Sequence, residues 1–161
     1  MITPPRRLGL AIVLIVFALD QASKLWLLFS VGLAENGPFA VLPFMDIVLA
    51  WNRGISYGLF QQYSDLGRWG LVAVSFVAAV WLGRWMWREP RRLTVVALAL
   101  IVGGALGNGV DRAVYGAVVD FVHLHWGRFS WYIFNLADAA IVVGVAGLLY
   151  ESFRPGPEKT A

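Results

Sequence analysis

Apolar residues gather into four long runs, 8–31, 69–87, 93–109 and 134–150, separated by stretches richer in polar and turn-forming residues. A run of about 20 apolar residues, at about 1.5 Å per residue, matches the hydrocarbon thickness of a bilayer. The pattern therefore predicts four transmembrane helices. Residues 1–19, with Arg6 and Arg7 ahead of an apolar stretch, also have the shape of a cleavable signal peptide. Apolar character resumes past Asp20 and Lys24 as far as Val31, so a retained first helix is the better reading. Between the first two runs, residues 35–65 lose the helical period. Gly37-Pro38, Pro43 and Arg53-Gly54 mark turns, and 39–42 and 47–51 lean towards strand. The expected architecture is an all-α membrane protein: four transmembrane helices, a small extracytoplasmic β-leaning insertion between helices 1 and 2, and a single domain over 1–161.

Composition and charge sharpen this picture. Hydrophobic residues make up 59% of the 161 positions, well above the soluble average of roughly 45–50%. The net charge is only +3, and the basic residues sit in short clusters at the ends of the apolar runs, which argues against nucleic-acid binding. With no cysteine in the chain, disulfides, thiolate metal sites and a cysteine nucleophile are excluded. Arg6 and Arg7, then Arg84, Arg88, Arg91 and Arg92, then Arg154 and Lys159 fall on one side of a four-helix arrangement. The positive-inside rule assigns that side, and both termini, to the cytoplasm. The insertion and the stretch 103–138 then face outward.

That stretch holds three of the six aspartates, Asp111, Asp120 and Asp138, together with Asn108, Asn135 and a glycine cluster, between two apolar runs. An ionisable group near hydrocarbon costs roughly 2.5–3.5 kcal/mol on insertion scales, so carboxylates here need a partner or a task. Two close carboxylates cannot both ionise cheaply; one keeps its proton, giving an acid and a base at one pH, the equipment for activating water. A short return loop between the third and fourth helices would bring Asp120 and Asp138 together. Asp111-Arg112 reads as a local ion pair at the third helix's end. Asn108 and Asn135 orient carboxylates or cap helices, and Gly103, Gly104 and Gly107 form a face for close helix approach. On the first helix, Asp20 and Lys24 stand at i and i+4, an ion pair that either pins the helix to its neighbours or contacts substrate. Residues 52–60, containing Asn52, Gly54, Tyr57 and Phe60, read as a surface turn or as a site loop with apolar side chains suited to lying on lipid. His123, His125 and Ser130 suggest a zinc pair or a serine–histidine–aspartate set, but no supporting spacing surrounds them.

Taken together, Asp20-Gln21 with Lys24, Asn52 with Gly54, Gly103-Gly104 through Gly107-Asn108 to Asp111-Arg112, Val119-Asp120-Phe121, and Phe134-Asn135-Leu136-Ala137-Asp138 resemble the bacterial lipoprotein signal peptidases, or signal peptidase II. The matches run in order over nearly the whole chain. This resemblance implies an aspartic endopeptidase that cuts prolipoproteins just before a diacylglyceryl-modified cysteine, with Asp120 and Asp138 as the catalytic dyad. It also implies that Asp20, Lys24, Asn52, Gly54, Asn108, Arg112 and Asn135 bind substrate or support the site. Neither metal nor cofactor is implied. The partners would be the prolipoproteins and membrane phospholipids, and the enzyme would work as a monomer in the bacterial inner membrane with its site facing outward. Ser56-Tyr57 departs from the Ala-Phe more often found in the family's outer loop. The alternative is a metal-dependent membrane lipid phosphotransferase, in which Asp111, Asp120 and Asp138 gather Mg²⁺ for a lipid pyrophosphate.

Overall fold

The computed structural model describes residues 4–54 and 61–153. Ser56, Tyr57 and Phe60, and the basic Arg154 and Lys159, lie outside the described residues. Helix α1 (Pro4–Leu25) continues into a π-helical turn (Trp26–Ser30), followed by the short α2 (Leu33–Asn36). Strands β1 (Phe39–Leu42) and β2 (Met45–Asn52) come next, then the long helices α3 (Asp65–Arg88) and α4 (Arg92–Tyr115). Strands β3 (Val118–Trp126) and β4 (Phe129–Ser130) lead into α5 (Leu136–Ser152). Among the described residues three helices are long and apolar enough to cross a membrane: Pro5–Ser30, Asp65–Arg88 and Arg92–Tyr115.

Two of these helices differ from their apolar runs for identifiable reasons. α3 begins before its run because the Ser64 hydroxyl accepts from Gly67 N at 3.2 Å and caps the first turn. α4 passes the expected end at residue 109 and stops at Gly116, whose φ of +76° suits only glycine readily. Its last turns carry Asn108, Asp111 and Arg112 inward, where polar groups meet them, so hydrophobicity ends while the helix continues.

α4 is the central element, packed against α1, α3 and α5. Its glycines decide how close the neighbours come. A Cβ at Gly103 would lie 2.8 Å from Val16 Cβ on α1, and one at Gly104 would lie 2.5 Å from the Ala137 carbonyl on α5. Facing it, a Cβ at Gly144 of α5 would lie 2.6 Å from the Ala97 carbonyl. Backbone therefore approaches backbone on two sides of α4, the small-residue packing used where lipid supplies no hydrophobic drive. Val95, Leu98, Ala99 and Val102 fill the centre with Val13, Ala79 and Met86. On the opposite faces, Leu14, Ile15 and Leu19 of α1 and Val74, Val77 and Trp81 of α3 are exposed, the arrangement expected of lipid-facing helices.

The β structure reaches beyond the insertion. β1 and β2 do come from it, but β3 and β4 come from the segment after α4, and the four form one antiparallel ladder in the order β1-β2-β3-β4. The chain is mostly helical with this small sheet. A second apolar cluster of Leu27, Leu33, Ile47 and Phe121 seats the sheet on the π turn and α2. The short loop expected between the third and fourth helices is thus a hairpin. β3 alternates apolar and polar residues only over 122–126, and Asp120 lies on this strand, opposite Ala50 of β2.

Candidate active site

β3 and α5 each bring one carboxylate to a single cavity of about 190 Å³, lined by Asn52, Ser75, Asn108, Arg112, Asp120, Tyr132, Ile133 and Asp138 among others. Each aspartate is held by amide donors from different elements. Asp120 Oδ1 accepts from Asn135 Nδ2 at 2.6 Å and its Oδ2 from Asn52 Nδ2 at 3.1 Å. Asp138 Oδ1 accepts from Asn108 Nδ2 at 2.8 Å, and its Oδ2 from the Asn135 backbone N–H at 3.3 Å. Asn135 caps α5 reciprocally with Asp138 and also reaches Asp120, so the two functions open in the sequence are performed by one residue.

Burial separates the two carboxylates. Asp120 is only 2% exposed, whereas Asp138 is half-buried in the first turn of α5. Removal from water pushes the Asp120 carboxyl up to about 7; the negative charge of Asp138 adds to this, and the Asn52 and Asn135 donors and Lys24 oppose it.

Behind the cavity lies a buried charge cluster larger than the expected pair. Lys24 Nζ lies 2.7 Å from both Asp20 Oδ2 and Asp111 Oδ2, and 3.3 Å from Asn108 Oδ1. Asp111 also accepts from Gln21 Nε2 at 2.9 Å and from Val119 N at 3.1 Å, fixing where β3 begins. Asp20 Oδ1 accepts from Ala137 N at 3.0 Å, fixing where α5 begins. The local Asp111-Arg112 pair expected from sequence is therefore absent. Instead, Asp111 serves Lys24, and Arg112 reaches the carbonyls of Gly54 (2.7 Å) and Asn108 (3.3 Å). Gly54 contributes its backbone, donating to Asn52 Oδ1 at 3.0 Å. Asp111 and Gln21 are the site-building residues undervalued in the sequence. The available signal was a count: one lysine in an apolar helix cannot neutralise two buried acids without further donors.

His123 Nε2 does meet Ser130 Oγ at 2.8 Å, and Asp46 Oδ2 lies 3.1 Å from His125 Nε2. Asp46 is 3.7 Å from His123 Nδ1, beyond hydrogen-bond range, and neither histidine lines the cavity of Asp120 and Asp138. Nor do the three aspartates converge for a metal: Asp111 faces Lys24 and does not line that cavity.

Residues 12–154 match the Peptidase_A8 family, signal peptidase (SPase) II. The chain belongs to the signal peptidase II family. It is 62% identical over 151 residues to the lipoprotein signal peptidase of Methylorubrum extorquens (strain PA1), covering 94% of this chain and 88% of that one. It is 50% identical to that of Nitrobacter hamburgensis over 161 residues, covering 98% of each. In structure it is similar to a bacterial membrane enzyme solved by the in meso method at 2.3 Å, with a TM-score of 0.78, 24% identity and coverage of 95% and 93%. That likeness shows the fold. As a signal peptidase II the chain is an aspartic-type membrane protease, and the matches give no support to a lipid phosphotransferase.

Proposed function

We propose that this signal peptidase II hydrolyses the peptide bond before the diacylglyceryl-modified cysteine of prolipoproteins, with Asp120 and Asp138 as its catalytic dyad. The observation that carries the reading is the pair of carboxylates on one small cavity, each tethered by asparagine side chains. Asp138 is the base: it stands at the N-terminal end of α5, where the helix dipole and a backbone N–H favour an anion. Asp120, buried and raised to about 7, is the acid that donates to the scissile carbonyl while Asp138 takes a proton from the attacking water. Arg112 supplies a further donor, since its Nε is buried at this cavity without a hydrogen-bond partner among the described residues. Asp20, Lys24, Asn52, Gly54, Asn108 and Asn135 hold these groups in place.

The purified chain should release the signal peptide from a diacylglyceryl-modified precursor, and EDTA should not stop it. Because Asp120 must be protonated to act, turnover should fall as pH rises through about 7. Loss of cleavage on adding EDTA, or a rate that climbs steadily to pH 9, would overturn the assignment.

We read α5 as a fourth span. Its 17 residues reach about 25 Å, at the lower end of what crosses a bilayer. With both ends of the chain on the cytoplasmic side, the sheet and the dyad face outward, and the whole of 1–161 acts as one domain and as a monomer in the inner membrane. In this cysteine-free chain, a cysteine placed at Gly127 should be labelled by an impermeant reagent from outside intact cells and one placed at Glu89 should not. Nanodiscs holding one copy should retain full activity per chain; the reverse labelling, or inactive single copies, would remove the orientation or the monomer.

A further inference from the structure

The end of α4 is held by a residue of another helix. The last four carbonyls of an α-helix have no partner within the helix, and such ends fray. In α4 the Arg112 carbonyl takes the Gly116 N–H at 3.1 Å, the last bond of the helical ladder, and Arg112 is the residue that spans from the helix to Gly54. Arg68, in the first turns of α3, closes that end: its Nε donates to the Arg112 carbonyl at 2.9 Å and its Nη2 to the Ala113 carbonyl at 2.7 Å. A cation there also complements the helix dipole. The guanidinium lies 5.3 Å from the Trp69 ring centroid and against Gly116, which ends the helix. The residues leading into that turn meet the chain just past β2: the Gln62 side chain packs on Gly67, and Gln62 N donates to the Arg53 carbonyl at 3.1 Å. The start of α3 and the Gln62 before it thus hold two ends that lead to the cavity, that of α4 at Arg112 and that of β2 at Arg53, between Asn52 and Gly54.

We propose that Arg68 is a positioning residue of this peptidase, clamping the last turn of α4 so that Arg112 stays bridged to Gly54 at the wall of the catalytic cavity. It touches no substrate and acts through the Arg112 backbone. The requirement is for a fork: a lysine ammonium offers a point charge and cannot reproduce two fixed N–H directions to adjacent carbonyls. The inference rests on the catalytic reading above, and the experiment separates the two.

The test is a cycle of Arg68→Ala and Arg112→Lys, singly and together, on the full chain in nanodiscs cleaving the diacylglyceryl precursor. Arg68→Ala should lower kcat about 20-fold with KM changed less than about twofold, and Arg68→Lys should recover only part of the loss. In the Arg112→Lys background, Arg68→Ala should cost less than about twofold more, because the residue it positions is already altered. An equal loss in both backgrounds overturns the proposal, as does an unchanged kcat with only a lower melting temperature. Should Arg68→Ala not accumulate folded, Arg68→Lys replaces it in the same cycle and the same comparisons decide. Full activity of Asp120→Asn would sink the catalytic reading whatever Arg68 does, whereas an inactive Asp120→Asn with uncoupled arginines overturns only this inference.

Discussion

Asparagine at position 120 or 138 should lower turnover by about a thousandfold or more, because each exchange removes a proton-transfer group while keeping shape and volume. The two variants should differ in stability, and in a pH-dependent way. Asp120 is raised from the ordinary aspartate range to about 7, so between those values the folded protein keeps a proton that the unfolded chain releases. Folding stability then declines as pH rises across that window, and above pH 7 the native state carries the full cost of a buried charge. An asparagine never meets that cost. Asp120→Asn sets its amide nitrogen against one of the Asn52 and Asn135 donors, a cost that does not vary with pH, so its stability relative to the parent should rise between pH 4 and pH 8 by on the order of 4 kcal/mol at about 1.4 kcal/mol per pH unit. Thermal unfolding in detergent at the two pH values, alongside a cleavage assay, checks both halves. Appreciable activity in either variant would move the dyad elsewhere, and an Asp120→Asn protein whose stability relative to its parent does not rise from pH 4 to pH 8 would mean that the Asp120 carboxyl is not raised by burial.

The second large effect concerns the substrate. On the proposed orientation Asp120 and Asp138 lie near the level of the lipid headgroups, and a soluble peptide must be drawn down to them. Each buried methylene contributes about 0.8 kcal/mol, so two acyl chains on the cysteine keep the adjacent bond at the membrane surface. The diacylglyceryl precursor should accordingly be cut at least about a hundredfold more efficiently than the same peptide with a free thiol, a difference of about 2.7 kcal/mol in the barrier to kcat/KM. Equal rates for the two peptides in matched micelles would describe a general membrane peptidase instead.

Much of this architecture is legible from residue pattern because lipid allows few solutions. The runs at 8–31, 69–87 and 93–109 correspond to helices α1, α3 and α4, and the breaks at Gly37-Pro38 and Pro43 flank β1. The sheet's other half is not legible in the same way. β3 pairs with β2 across more than sixty residues of chain, and its adjacent apolar residues Phe121 and Val122 find their place only beside Ile47. Charges within helices are equally ambiguous in sequence. Asp111 sits next to Arg112, yet it bonds Lys24 from another helix, because adjacent residues on a helix point in different directions. Gly104, by contrast, announces its role: only a residue without a side chain fits against the Ala137 carbonyl.

The order in which the site's parts leave the ribosome has its own consequence. Asp138 lies in the last helix and Asn135 caps it, and Asn135 Nδ2 donates to Asp120 at 2.6 Å. A nascent chain that has emerged only as far as β4 holds one carboxylate of the dyad and lacks the other. On the proposed dyad, the two carboxylates come together only once α5 docks into the glycine-faced groove of α4. On the proposed reading, then, completing the dyad is a late step of assembly.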